Sequence, residues 1–319
     1  MVDRPNKPTA LATTPGLPPQ PQVDISEDNS RVSASLPTGE SVEVLLKGAT
    51  VISWKDRAGN EKLWLSDAAD LDGPKPVRGG IPLVFPNFGT TPDHPATSKL
   101  PQHGFARTSH WELLGKSTSE SSPGKGPSDA AVKLDFGLAS STVDKSLQGL
   151  WTHSFSAIYS VTLSQEGLGT SIVITNDGNE PFEAQVLMHT YLRVKDIAKV
   201  EVAGLDNSEF LDKVDAAKAK TQSGAVTITG ETDRVYTPAK GPSEPVVVSE
   251  GGEPVFTVVR DSLKDVVVWN PWVEKAAGIG DFKPKDGYKH MICVEAGCVR
   301  GWLKLEGGES FEGGQTISY

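Results

Sequence analysis

Arg78, Gln102, His103 and Arg107 fall within one part of the chain, in Arg-Gly-Gly-Ile-Pro-Leu-Val-Phe-Pro (78–86) and Gln-His-Gly-Phe-Ala-Arg (102–107). Two guanidinium forks, an amide and an imidazole, interleaved with Phe85, Phe88, Phe105 and Trp111, suit a small anionic ligand rich in hydroxyls. Gly79 and Gly80 would let backbone approach a bound group with no side chain between. Pro82 and Pro86 stiffen the segment by fixing φ.

Other candidates lie downstream. His189 shares alternate positions with Glu183, Gln185, Tyr191 and Arg193, a face too polar for a core. Such a histidine can move a proton, or it can be a hydrogen-bonded structural residue. Glu295 interrupts the apolar run His-Met-Ile-Cys-Val-Glu-Ala-Gly. A carboxyl between Val294 and Ala296 is poorly solvated, which raises its pKa towards the range useful for proton transfer. A solvent-exposed strand end is the alternative. Asp233 precedes Arg234 and Tyr236, and a surface pair with Arg234 is its plain reading. Trp269-Asn270-Pro271-Trp272 could wall a sugar ring or simply pack in the core.

The elements that must position these residues read as strands. Val42, Val44 and Leu46 alternate with Ser41, Glu43 and Leu45. Phe155, Ala157, Tyr159, Val161 and Leu163 form the clearest period-2 run, with a turn at 165–167 and a return over 170–175. The segment 182–194 puts Phe182, Ala184, Val186, Met188, Leu192 and Val194 on a core face. Further strands are expected at 51–54, 132–136, 225–229, 255–260, 266–269, 291–295 and 301–305, with a short helix within 208–220 and a surface loop over 115–130. Many strands broken by Gly and Pro turns, with no repeated βα unit, predict an all-β, antiparallel β-sandwich. Residues 1–22, with Pro5, Pro8, Pro15, Pro18, Pro19 and Pro21, read as a disordered, Pro-rich tail, and residues 23–319 as one domain.

The totals exclude several classes. A formal charge of -10 argues against nucleic acid as a partner, which needs a basic face. No stretch of 18 apolar residues exists to span a membrane, and no apolar leader precedes the strands. Only Cys293 and Cys298 are present; a reducing, cytoplasmic setting is expected. A strand running through both puts them on opposite faces, where they cannot pair. The six histidines show no HxH or HExxH spacing, so no metal is signalled. GxSxG, P-loop and dinucleotide fingerprints are missing as well. A cofactor-free reaction built on proton transfer fits what is left, and a monomer is the expected state.

Taken together, Arg78-Gly-Gly-Ile-Pro, Gln102-His103-Gly104-Phe105-Ala106-Arg107, His189 on a strand, Asp233-Arg234-Val235-Tyr236, Val268-Trp269-Asn270-Pro271-Trp272 and Cys293-Val294-Glu295-Ala296-Gly297 resemble the glucose-6-phosphate 1-epimerases of the aldose 1-epimerase superfamily. The Trp-Asn-Pro-Trp segment is most similar to the eukaryotic branch. The resemblance spans about residues 40–319. It implies a galactose-mutarotase-type sandwich with the sugar in an open groove. It implies a hexose 6-phosphate substrate, His189 and Glu295 as the catalytic pair, and Arg78, Gln102, Arg107 and Asp233 as substrate-binding residues. An aldose 1-epimerase for unphosphorylated sugars, a silent sugar-phosphate-binding module and a glycoside hydrolase using Asp233 and Glu295 are the rival readings.

Overall fold

The computed structural model describes residues 20–119 and 130–319. Two large antiparallel sheets face each other. One has the strand order Val226–Thr227, Val200–Ala203, Val246–Glu250, Glu253–Asp261, Ser310–Ser318, Leu168–Asn176, Phe155–Ser164, Ala131–Ala139, Glu112–Ser119. The other runs Lys218–Thr221, Glu209–Asp212, Thr232–Thr237, Asp265–Asn270, Met291–Leu305, Phe182–Met188, Leu83–Val84, and Tyr191–Arg193 also pairs with Met291–Leu305. A four-stranded meander, Gln22–Ile25 to Thr50–Lys55, adds a third sheet. The sandwich expected from the alternation is what forms.

The core lies between the large sheets. Phe136, Tyr159, Ile172 and Ile174 from one pack with Ala184, Val186, Met188, Val268, Val294 and Ala296 from the other. The period-2 run pairs as expected, Tyr159 opposite Ile172 and Ala157 opposite Ile174. Because side chains alternate across a strand, the residues between those core positions on the second sheet all face outward. That outer face carries Leu187, Val235, Val267 and Val299, which form an apolar floor of their own.

Four expectations are corrected. The long strand over 182–194 breaks at His189–Thr190 into Phe182–Met188 and Tyr191–Arg193. The helix expected within 208–220 is a hairpin instead: Glu209–Asp212 pairs with Lys218–Thr221 around a 3-10 turn at Lys213–Asp215. Asp212 accepts from the Val214 amide, and Ala216 and Ala217 take positive φ, so strand pairing overrides the helix preference of the Ala- and Lys-rich segment. Residues 115–119 of the expected loop belong to the strand Glu112–Ser119, Ala130 is buried, and residues 120–129 lie outside the described residues. The first strand begins at Gln22, one residue inside the expected tail. By contrast, Met291–Leu305 does run through both cysteines, and both are free and buried.

Gly79 and Gly80 do not line a ligand approach in the way expected. Both have positive φ, 119° and 68°. A Cβ on Gly80 would stand 2.1 Å from the Val51 carbonyl oxygen, and one on Gly79 2.5 Å from that of Trp64. They let three backbones close together. The Gly80 carbonyl accepts from the Tyr191 amide and the Pro82 carbonyl from the His189 amide, each at 2.9 Å. The segment 80–82 thereby holds the backbone where the strand breaks. Gly80→Ala is expected to lower stability by at least ~2 kcal/mol, through strain at positive φ and the overlap with Val51. Gly278→Ala, where an added methyl meets nothing within 4 Å, is the control. Thermal melting of the two variants checks this; equal melting temperatures would show that the backbones can part without cost.

Candidate active site

A cavity of about 230 Å³ opens on the outer face of the second sheet. Register explains which side chains enter it. Glu295 stands opposite Val267, and Asp233 opposite Trp269. His189 follows the end of the neighbouring strand, where Met188 is opposite Ala296. Residues two apart share a face, so Asp233, Val267, Trp269, Glu295 and His189 all point the same way. Arg78, Gln102 and His103 arrive on the two Gly-containing segments and complete one wall.

Five of the six expected site residues, Arg78, Gln102, His189, Asp233 and Glu295, line this cavity. Arg107 lies beside it rather than on its wall. Its Nη2 donates to the Gln102 carbonyl at 2.7 Å, while its Nε is buried with no partner. His103, grouped with Arg78, Gln102 and Arg107 from the sequence, lines the cavity too, and so do Lys213 and Lys275, to which sequence reasoning gave no role. Trp269 is part of the wall, whereas Trp272 packs on Tyr288 with ring centres 5.4 Å apart. Asn270 fixes the turn between them, donating to the Tyr288 and Met291 carbonyls and accepting from the Trp272 amide. A larger hollow of about 460 Å³ lies across the molecule among Thr162, Ser171, Val259 and Thr316. It holds neither His189 nor Glu295, so volume does not mark the site.

His189 and Glu295 sit at the bottom of the cavity. His189 Nδ1 and Glu295 Oε1 are 3.3 Å apart. They are not aligned as a hydrogen bond, and His189 Nδ1 and both Glu295 oxygens are buried without a partner. Glu295 is only 1% exposed. An unpaired buried carboxyl is costly, and its presence marks a group kept for something other than stability. Burial, followed by the nearby Asp233 charge, pushes the Glu295 carboxyl well above the usual carboxylate range. Burial, then Arg107 and Arg78, holds the His189 imidazole well below its ordinary value. The His189 ring stacks on Tyr191, centroids 4.7 Å apart and planes within 9°, so its orientation is fixed.

The surrounding groups set polarity. Arg78 donates through Nε to Asp281 and through Nη1 to the Tyr191 hydroxyl, and Tyr191 and then Asp281 raise its pKa. His103 Nδ1 accepts from the Gly89 amide at 3.1 Å. Burial and then Arg107 hold the His103 pKa well below its ordinary value, so the neutral ring carries its proton on Nε2, 3.3 Å from the Gln102 side-chain amide. Lys213 Nζ lies 4.6 Å over the Phe88 ring and 4.0 Å from Asp233 Oδ2. Lys275 Nζ is 3.5 Å from Glu231. Burial raises the Asp233 pKa. The arrangement is a buried imidazole and carboxyl, placed so that they could exchange protons with a ligand, under a polar wall with several cations. His189, Cys293 and Glu295 also bring ligating atoms within 4.8 Å of one another, a cluster that sequence spacing did not signal.

Comparisons with known proteins give the family and the fold. Residues 30–318 match the family model described as aldose 1-epimerase. A Cenchrus ciliaris protein provisionally named glucose-6-phosphate 1-epimerase is 36% identical over 280 residues, covering 86% of this chain and 80% of that one. An Escherichia coli K12 protein with the same provisional name is 36% identical over 251 residues, covering 78% and 77%. The crystal structure of a provisionally named mutarotase from Salmonella typhimurium superposes with a TM-score of 0.76 at 29% identity, covering 90% of this chain and 89% of that one. With a match across nearly all of the described strands, the chain belongs to the aldose 1-epimerase family.

Proposed function

We propose that the protein interconverts the α and β anomers of a hexose 6-phosphate, with glucose 6-phosphate the expected substrate. The observation that carries the reading is the buried His189–Glu295 pair, 3.3 Å apart with unpaired polar atoms, beneath a wall that presents Arg78, Lys213 and Lys275. One member of the pair takes the proton of the anomeric hydroxyl while the other gives a proton to the ring oxygen. The ring C–O bond breaks and the aldehyde forms. Rotation about the C1–C2 bond presents the other carbonyl face, and the same two transfers in reverse close the ring.

This needs one proton shared by the pair. A Glu295 carboxylate that takes the anomeric proton would pair with a protonated His189. Burial favours the opposite placement in the free protein, with the proton on Glu295 and a neutral imidazole. A phosphate dianion bound near Arg107 and Arg78 would offset the two charges that disfavour imidazolium, and so move the proton towards His189. Asp233 and Gln102 offer acceptors and donors for hydroxyls, and Trp269 an apolar edge. Cationic groups on and beside the wall favour a phosphorylated sugar over a neutral one. The relatives' shared provisional name points the same way.

The test is a coupled anomerisation assay on glucose and glucose 6-phosphate, run in parallel with release of sugar from a glycoside. A kcat/KM for glucose equal to or above that for the phosphate would overturn the substrate assignment in favour of free aldoses. Because two side chains carry both transfers, dialysis against a chelator should leave the rate unchanged. A lost rate restored by one divalent ion would refute the two-residue mechanism.

A further inference from the structure

We infer that His189, Cys293 and Glu295 together form a site for one borderline or soft divalent cation such as Zn²⁺, and that the ion excludes substrate by occupying the catalytic pair. Cys293 and Glu295 are two apart on the strand Met291–Leu305 and so share a face, and Cys293 stands opposite Tyr191, two residues after His189 on the neighbouring segment. The three ligating atoms, one nitrogen, one sulfur and one oxygen, all lie within 4.8 Å of each other. Such a mixed N, S, O set suits zinc and its neighbours, whereas magnesium and calcium need a shell of oxygens.

The spacing of the catalytic pair fits as well. Two ligands bonded at about 2.0–2.1 Å around a tetrahedral ion stand about 3.4 Å apart. The His189 Nδ1–Glu295 Oε1 separation is 3.3 Å, with neither atom in an aligned hydrogen bond. Glu295 is 1% exposed and Cys293 0%. Buried polar atoms without partners are what an arriving cation satisfies. Three protein ligands leave a fourth position for water, and because His189 and Glu295 line the cavity, an ion held by them occupies its floor. Binding breaks the Cys293 S–H and Glu295 O–H bonds and forms S–metal and O–metal bonds, the neutral His189 imidazole adds its Nδ1 lone pair, and both protons leave to solvent. The inhibition rests on the catalytic reading above; the binding does not.

The experiment titrates the purified full chain with Cd²⁺ and Co²⁺ and follows thiolate-to-metal charge-transfer absorption, alongside Zn²⁺ inhibition of anomerisation. One equivalent should bind with a charge-transfer band, and Zn²⁺ should inhibit competitively and reversibly on chelation. Cys293→Ala should abolish the band and weaken inhibition by at least ~10-fold, since even losing an outer-shell partner costs that much. Cys298→Ala, whose sulfur instead lies 3.4 Å from the Ser262 carbonyl, should keep both. Should Cys293→Ala fold poorly, Cys293→Ser conserves volume and should lose the band too. No band in the wild-type protein, or a band and inhibition undiminished in either Cys293 variant, overturns the site. A Cys293-dependent band with unchanged turnover supports the ion site and refutes the catalytic assignment of the pair instead.

Discussion

Glu295→Gln and His189→Ala should each lower turnover by about 10²–10⁴-fold, the usual worth of a positioned acid or base. Glutamine keeps the shape of the carboxyl but cannot carry a proton to or from the anomeric oxygen. Substrate affinity should change far less, because hydroxyl and phosphate contacts lie on other residues. The double variant should lose little beyond the worse single variant, since either half-reaction stalls without its partner. Thermal stability offers a second readout. Glu295 is buried with both oxygens unpaired, so the uncharged amide should cost nothing in stability and can raise it. Near wild-type turnover in either single variant would mean that the proton moves through another group, with His103 the next to test.

Arg107→Ala should weaken glucose 6-phosphate by at least ~10-fold in kcat/KM while leaving the slight activity on glucose nearly unchanged. A hydrogen bond to a charged group contributes about 1.5–3 kcal/mol net, and ~1.4 kcal/mol is a factor of about ten. Its buried, unpartnered Nε and its bond to the Gln102 carbonyl leave the guanidinium oriented but not neutralised. Burial already lowers its pKa to about 10, the signature of a cation with too few counter-charges. Lysine at 107 keeps charge but loses the fork and should rescue only partly. The measurement is kcat/KM for both sugars at fixed ionic strength. An equal loss on both sugars would show that Arg107 does not read phosphate. Lys213→Ala is then the variant to follow, because Lys213 lies on the wall with its nearest carboxylate only at 4.0 Å.

How far the sequence carried depends on the range of the determining contacts. Alternation over 182–194 located the core face and the side from which His189 and Tyr191 project, because period 2 is a local property of the strand. The apolar neighbours of Glu295 foretold its burial for the same reason. Lys213 was hidden because its segment has a helix-like composition and becomes a hairpin only by pairing with Thr232–Thr237. The glycines beside Arg78 looked like room for a ligand and proved to be room for the Trp64 and Val51 backbones, a contact no local pattern records. Cys293 drew attention as one of two cysteines, yet its closeness to His189 follows from a strand break that alternation alone does not show.

His189 and Glu295, the proposed catalytic pair, flank the paired residues Met188 and Ala296 on neighbouring backbones of one sheet, with the His189 amide tied to Pro82. Their separation is therefore set by interstrand spacing at the end of Phe182–Met188 and by the 80–82 backbone that holds His189 at the strand break. Warming that agitates the Lys213 hairpin or the Gln102 segment should loosen the grip on substrate well before it misaligns the proton-transfer pair. Heat should then act on KM first, and the chemical step should persist until the sheet itself melts.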